Sequence, residues 1–181
     1  MKRFFLATAA FACIATACNS GGPSSTEATT DTSSAMMSDT KTDMAEKNKQ
    51  TALATAEAVN NHDADALFKD AAPDFTEYGD GTTAPTKGVD SAKKGFQMFL
   101  AAFPDIKGEN LMAVAEGNHV MVAGDWSGTF KGEFMGIKPT GKSYKLKDVD
   151  IFTFNDDGKI LDHRSIQLME TVFSQVGAKM K

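Results

Sequence analysis

Two short runs in the C-terminal third of the chain carry the side chains that move protons. In Asp162-His163-Arg164-Ser165 the histidine and the serine stand two residues apart, and in Asp148-Val149-Asp150 the two aspartates share that spacing. Residues i and i+2 of a β-strand project to the same face. A histidine whose pKa is moved by burial shuttles protons near neutral pH. A carboxylate among Val149, Ile151, Phe152 and Phe154 would titrate high if its face lined an apolar pocket, and so act as a base. His163 and Asp150 are therefore the candidate catalytic pair. The bland alternatives are a satisfied buried imidazole and two solubilising charges on a solvent or dimer face, because alternation alone does not say which face is concave. Asp162 and Arg164, on the opposite face, read as a structural ion pair.

Strands must hold these residues, and the surrounding sequence supplies them. Residues 119–130 and 144–154 alternate β-branched or aromatic with polar residues. Glu116-Gly117-Asn118 and Asp156-Asp157-Gly158 offer the positive-φ positions of tight hairpins on either side. Upstream the period changes. Asp43 and Glu46 have the spacing of a helix cap ahead of Ala45, Ala52, Ala56 and Val59. Asn60-Asn61-His62 breaks that helix, Asp63 caps a second through Phe68, and Pro73 forces an extended run over Phe75 to Tyr78. A third helix is predicted from Val89, Ala92, Phe96, Phe99, Leu100 and Phe103, ended by Pro104. Helices first and strands afterwards give an α+β fold, with helices on one side of a curved antiparallel sheet. Trp126, Phe130 and Phe134 around a glycine-rich loop make an aromatic lining, or simply core.

These segments also resemble a known family. Ala102-Phe103-Pro104-Asp105, Gly128-Thr129-Phe130 with Gly132-Glu133-Phe134, the loop Gly136-Ile137-Lys138-Pro139-Thr140-Gly141-Lys142, Asp157-Gly158-Lys159-Ile160 and His163 are similar to the SnoaL-like polyketide cyclases, or ester cyclases, in register over most of residues 53–177. The resemblance implies a cone-shaped barrel like that of nuclear transport factor two, with helices closing a pocket on the concave sheet face. It does not imply catalysis. In the resembled family, histidines often stand where this chain has Tyr78 and Phe130, and the run His163-Arg164-Ser165 replaces one that carries an aspartate at the last position. The wall is thus expected to be more apolar, with Tyr78, Trp126, Phe130, Phe134 and Ser165 as ligand-binding residues. A serine without a partner base does not replace the lost carboxylate.

Lys2 and Arg3 precede an apolar run to Ala17 that is too short to span a bilayer, which is the layout of an export signal over residues 1–17. Ala15-Thr16-Ala17-Cys18 resembles a bacterial lipobox, with Cys18 as lipidated first residue; ordinary cleavage leaving a free Cys18 is the alternative. Residues 18–42, rich in serine and threonine, read as a flexible tether, and 43–181 as the folded domain. Loss of Lys2 and Arg3 leaves 17 basic against 24 acidic residues, −7, which argues against nucleic acid or anionic lipid surfaces. Cys13 leaves with the signal, so no disulfide or cysteine metal cluster forms. His62, His119 and His163 lack metal-binding spacing, and Gly132, Gly136 and Gly141 do not form a phosphate cradle.

The expectation is an envelope lipoprotein, or else a periplasmic or secreted protein, binding a small hydrophobic or aromatic molecule without a cofactor. Two alternatives stay open. One is a cofactor-independent cyclase or isomerase in which His163, with Asp150, moves a proton on a polyketide-like carbonyl compound. The other is an interaction module whose convex face pairs with a second copy, a homodimer, or with an envelope partner.

Overall fold

The structure, a computed structural model, describes residues 32–179. Cys18 and the expected signal lie outside these residues, as does the first part of the expected tether. Ten elements follow in chain order: α1 (Thr32–Asn60), α2 (Ala64–Phe68), β1 (Ala71–Glu77), β2 (Thr86–Lys87), α3 (Val89–Ala102), β3 (Lys107–Glu116), β4 (His119–Thr129), β5 (Ser143–Phe154), β6 (Ile160–Ser165) and α4 (Met169–Gln175).

The boundary expected at Asp43 falls inside α1, so Asp43 and Glu46 do not cap a helix start. Glu46 instead bonds forward to Lys49 and Gln50, one turn on. Burial begins later, at Asn48, and the alanines that follow explain why this helix packs at all: Ala52 and Ala56 are small enough to let α1 lie close across β3 and β4. The cap at Asp63 is as the sequence predicts, its Oδ1 accepting from the amides of Asp65 and Ala66 at 3.0 Å each. α3 ends ahead of Pro104, as predicted, with the Phe103 amide closing on the Phe99 carbonyl at 2.9 Å.

The six strands form one sheet in the order β2-β1-β6-β5-β4-β3. The antiparallel hairpins β3–β4, β4–β5 and β5–β6 follow the sequence expectation. One pair departs from it: β1 lies parallel to β6, so the sheet is mixed rather than wholly antiparallel, and it does not close on itself. The cause is topological. β2, α3 and the strands β3 to β5 lie between β1 and β6 in the chain, and β1 meets the rest of the sheet only beside that last strand. Pro73 sits in the irregular stretch of that pairing, between Ala71 and Thr76, where a missing amide costs no ladder bond.

Alternation sorts the strands onto two faces. Tyr144, Leu146, Asp148, Asp150 and Phe152 of β5 point to the helix-covered side with Val120, Val122 and Trp126 of β4; Val149 and Ile151 point away with Met121. Against the inner face the rings of Phe103, Phe130, Phe173 and Tyr144 interlock, with centroids 5.2–5.6 Å apart. The loop after β4 is pinned beside them: the amides of Lys131 and Gly132 donate to the Ala102 carbonyl at 2.8 and 3.1 Å. Gly132 is required there, since a β-carbon would stand 2.2 Å from the Ala101 carbonyl oxygen.

Candidate active site

Between the inner sheet face and the four helices lies a cavity of about 390 Å³. Most of its wall is apolar, from Ala56 and Val59 of α1, Phe96 and Phe99 of α3, Phe75, Trp126, Leu146 and Phe152 of the sheet, and Val172 of α4. A polar cluster interrupts it on three adjacent strands, with Glu77 of β1, Asp148 and Asp150 of β5, and His163 and Ser165 of β6; Thr55, Thr86, Ser91 and Gln167 add polar points elsewhere in the lining. The register produces this cluster directly. Glu77 is paired with His163 across the parallel ladder, and Asp150 with Ser165 across the antiparallel one.

His163 is held from both sides. Its Nδ1 lies 2.9 and 2.8 Å from the two carboxylate oxygens of Glu77, and its Nε2 lies 3.1 Å from Asp150 Oδ1. The ring also packs on Phe152, centroids 4.9 Å apart. Side-chain exposure is 22% for His163, 27% for Glu77 and 15% for Asp150, small for three ionisable groups, and all three line the cavity. Burial alone would drive the imidazole towards neutrality; the negative charge of Glu77 and the hydrogen bonds that the ring donates to both carboxylates outweigh it and hold His163 well above the usual histidine value. Burial pushes Asp150 up, reinforced by Asp148 and Glu77 and only partly offset by His163. Glu77 moves the other way: burial raises it, but the His163 charge, its hydrogen bond and the Gly79 amide together bring it below the ordinary range. The three groups thus form a line with an ionised carboxylate at one end and a proton-seeking one at the other.

Asp148 serves differently. Ser165 Oγ donates to its Oδ2 at 2.6 Å, while the amides of Val149 and Gln167 donate to its Oδ1 at 2.6 and 2.9 Å. Asp148 therefore ties the segment after β6 to the cavity wall. Asp80 continues that tie by accepting from the Met169 amide at 2.8 Å, at the start of α4.

Of the residues expected in the pocket, His163, Asp150, Ser165, Trp126 and Phe134 line the cavity together. Tyr78 and Phe130 do not. Tyr78 follows Glu77 on the strand path and so turns to the other side, where the Arg164 guanidinium lies 4.5 Å from its ring centre. Phe130 is wholly buried between Phe103 and Phe173, so its ring fills core and does not face a ligand. Glu77 is the residue that sequence reasoning missed. The signal existed: Phe75 is an inner-face residue of a strand, and Glu77 stands two positions on. Asp162 and Arg164 pair at 3.5 Å, away from the cavity. Among the described residues, no three His, Cys, Asp or Glu side chains are grouped to hold a metal ion.

Comparisons with known proteins agree with this architecture. The family model of the SnoaL-like polyketide cyclases matches residues 49–176. No curated protein matches the chain significantly. Among solved structures, AclR of Streptomyces galilaeus, which carries a provisional hydroxylase assignment, is 27% identical with a TM-score of 0.62, over 74% of this chain and 97% of its own. A protein of Jannaschia sp. CCS1, provisionally assigned as a SnoaL-like polyketide cyclase, is 22% identical with a TM-score of 0.65, over 76% of this chain and 96% of its own. A ketosteroid isomerase-like fold from Catenulispora acidiphila, in complex with trimethylamine, is 19% identical with a TM-score of 0.55, over 71% and 92% of the two chains. The last two likenesses speak to the fold alone.

Proposed function

The chain belongs to the SnoaL-like polyketide cyclase family, matched over residues 49–176, and from that premise we propose that it binds a small apolar carbonyl compound and moves a proton on it without a cofactor. One observation carries this reading: His163 bridges Glu77 and Asp150 inside a cavity whose wall is mostly apolar. Asp150 stands opposite Ser165 on the neighbouring strand, near the position of the missing carboxylate, which supports chemistry beside binding. Asp150 would accept the proton from a carbon next to the carbonyl. The imidazolium of His163, balanced by Glu77, would steady the charge and return the proton.

The test is hydrogen–deuterium exchange at the α-carbon of 2-tetralone, followed by nuclear magnetic resonance in deuterated buffer. Exchange faster than in buffer, reduced about a hundredfold or more in Asp150→Asn, is the expected result. Saturable binding without exchange would return the case to a binding protein, and no binding would overturn the reading.

We place this domain in a bacterial envelope through a lipid on Cys18, on the strength of the charged start, the short apolar run and Ala-Thr-Ala-Cys. Mass spectrometry of the N-terminus of the membrane fraction tests it; an unmodified Cys18 sinks the anchor. A second reading, pairing of two copies through the outer sheet face, is favoured by Met112, Val114 and Met121, which stand 64%, 60% and 45% exposed on adjoining strands. Sedimentation analysis of Val114→Lys decides it: a wild type that sediments as a monomer rejects the pairing.

A further inference from the structure

The cavity has a mouth, marked by the lining residues that are themselves exposed: Thr86 of β2 and Ser91 and Gly95 of α3. Gly79, Gln167 and Met169 also line it, and Gly79 stands two residues beyond Glu77, the ladder partner of Thr86. One contact ties the elements that carry them. The Met169 amide donates to Asp80 Oδ2 at 2.8 Å, joining the loop after β1 to the first residue of α4. That helix has no cap of its own, since Leu168 at the N-cap position makes no side-chain bond. Asp80 therefore satisfies, from another element, a donor that the helix leaves open. Ile166 and Leu168 are 60% and 43% exposed, so little apolar burial holds this segment down; its other fastening is the Gln167 amide on Asp148 Oδ1 at 2.9 Å.

The loop side is built to move. Asp80 stands between Gly79 and Gly81, both left-handed at φ 54° and 76°, and a β-carbon at either would meet nothing within 4 Å. Backbone that is unpacked on both sides of the carboxylate tolerates the dihedral changes of a hinge. The amide and hydroxyl of Thr82 hold Asp80 Oδ1 at 3.0 and 2.6 Å, so the carboxylate travels with its loop while Oδ2 reaches across. Burial would raise the Asp80 pKa, but the bonds from Thr82 and from the Met169 amide outweigh it and hold the group below the ordinary aspartate value. The Gly79 amide also donates to Glu77 Oε1 at 2.8 Å, so the hinge borders the partner of His163.

We propose that Asp80 is the latch of this mouth: a ligand enters and leaves between the loop after β1 and the start of α4 once the Asp80–Met169 bond breaks, and the bond re-forms over the occupied cavity. The device governs the rates of passage. It rests on the cavity as the ligand site and is independent of whether a proton moves there.

The test follows N-phenyl-1-naphthylamine, a neutral apolar fluorophore, by stopped flow. Trp126 is the only tryptophan and lines the cavity, so energy transfer from it to the probe reports occupancy. In the full chain, Asp80→Ala should raise the association and dissociation rates together by roughly ten- to a hundredfold, the worth of one hydrogen bond to a charged group, leaving Kd nearly unchanged. Met169→Pro removes the donor itself. Leu168 is already extended, φ −68° and ψ 133°, as a residue before proline must be, and the first helical position accepts proline. This variant should accelerate both rates likewise, with Met169→Leu as the control for the lost side chain, and the double variant should go no further than either single one. Thermal unfolding checks that each variant is folded; should Asp80→Ala not fold, Met169→Pro decides alone. Unchanged rates in the folded variants would overturn the latch. Faster dissociation with unchanged association would overturn it too, by making Asp80 a piece of the wall. A wild type that shows no saturable energy transfer would overturn the cavity as ligand site, and the latch with it.

Discussion

The two ends of the cavity are built on the same strand and follow opposite rules. At the Tyr144 end of β5, ring packs on ring, and the Tyr144 hydroxyl is pushed far up, by burial first and then by the charges of Asp105 and Asp148, so that it stays a neutral donor. At the Asp150 end, four residues contributed by three strands carry charge and answer one another. The first end gains from every methylene it hides; the second is stable only because each charged group has a partner, since an isolated buried charge is far more costly than a paired one. A family that keeps the first end and redistributes the second can change its chemistry without changing its fold.

That contrast can be broken by mutation, and the largest effect is expected at the aromatic end. Phe130→Ala should cost about 3–5 kcal/mol of stability, read by denaturant unfolding, while leaving affinity for a cavity ligand nearly unchanged in whatever protein stays folded. A loss of affinity that exceeds the loss of stability would return Phe130 to the pocket wall. Next comes His163→Gln, which should leave the fold intact yet lower α-hydrogen exchange on 2-tetralone by about a hundredfold, or about 2.7 kcal/mol of barrier; retained exchange would reduce the histidine to a packing residue.

Glu77→Gln sharpens the comparison through pH. His163 titrates higher in the folded state than in the unfolded one, so its contribution is complete below about 6.5 and fades as pH rises through the raised folded value. Glu77 titrates lower when folded, so its contribution is present above its unfolded value and is lost as pH falls through the depressed one. The pair therefore stabilises most in the window between ordinary glutamate and ordinary histidine titration. There Glu77→Gln should cost about 1.5–3 kcal/mol, and thermal unfolding of the two proteins should converge at both pH extremes. A difference independent of pH would show that the contact is steric. The smallest effect belongs to Tyr78→Leu, on the solvent side beneath Arg164: below about 1 kcal/mol, with no change in ligand affinity.

The elements were legible because their signals are local. The helix over Val89–Ala102 announces itself by spacing, and β4 and β5 by alternation, so the α+β class follows from the sequence. The start of α1 was not legible, because a run of serine, threonine and acidic residues has no apolar stripe to mark a helix. The parallel union of β1 with β6 was invisible for another reason: pairing between distant strands is decided by tertiary geometry, which no window of sequence contains. Glu77 was missed on that account, since its partner is fixed by that union. That His163 and Asp150 face the cavity was legible because both the i, i+2 rule and the apolar neighbours of β5 act within a few residues. Phe130 and Tyr78 were misplaced by assuming that a family position keeps its direction after its side chain has changed.

The parallel pairing has a consequence in time. Glu77 and His163 stand 86 residues apart in the chain, and a ribosome adding 5–20 residues per second takes roughly 4 to 17 s to travel from one to the other. Until β6 emerges, β1 has no inner neighbour and the carboxylates of Glu77 and Asp150 have no imidazole between them. A nascent chain can settle α1 to α3 and the β3–β4 hairpin early, but the line of Glu77, His163 and Asp150 is completed only when β6 arrives. A fragment halted before Ile160 would keep much of the hydrophobic core and present an open strand edge where β6 belongs, making incomplete synthesis an aggregation hazard before it is a loss of activity.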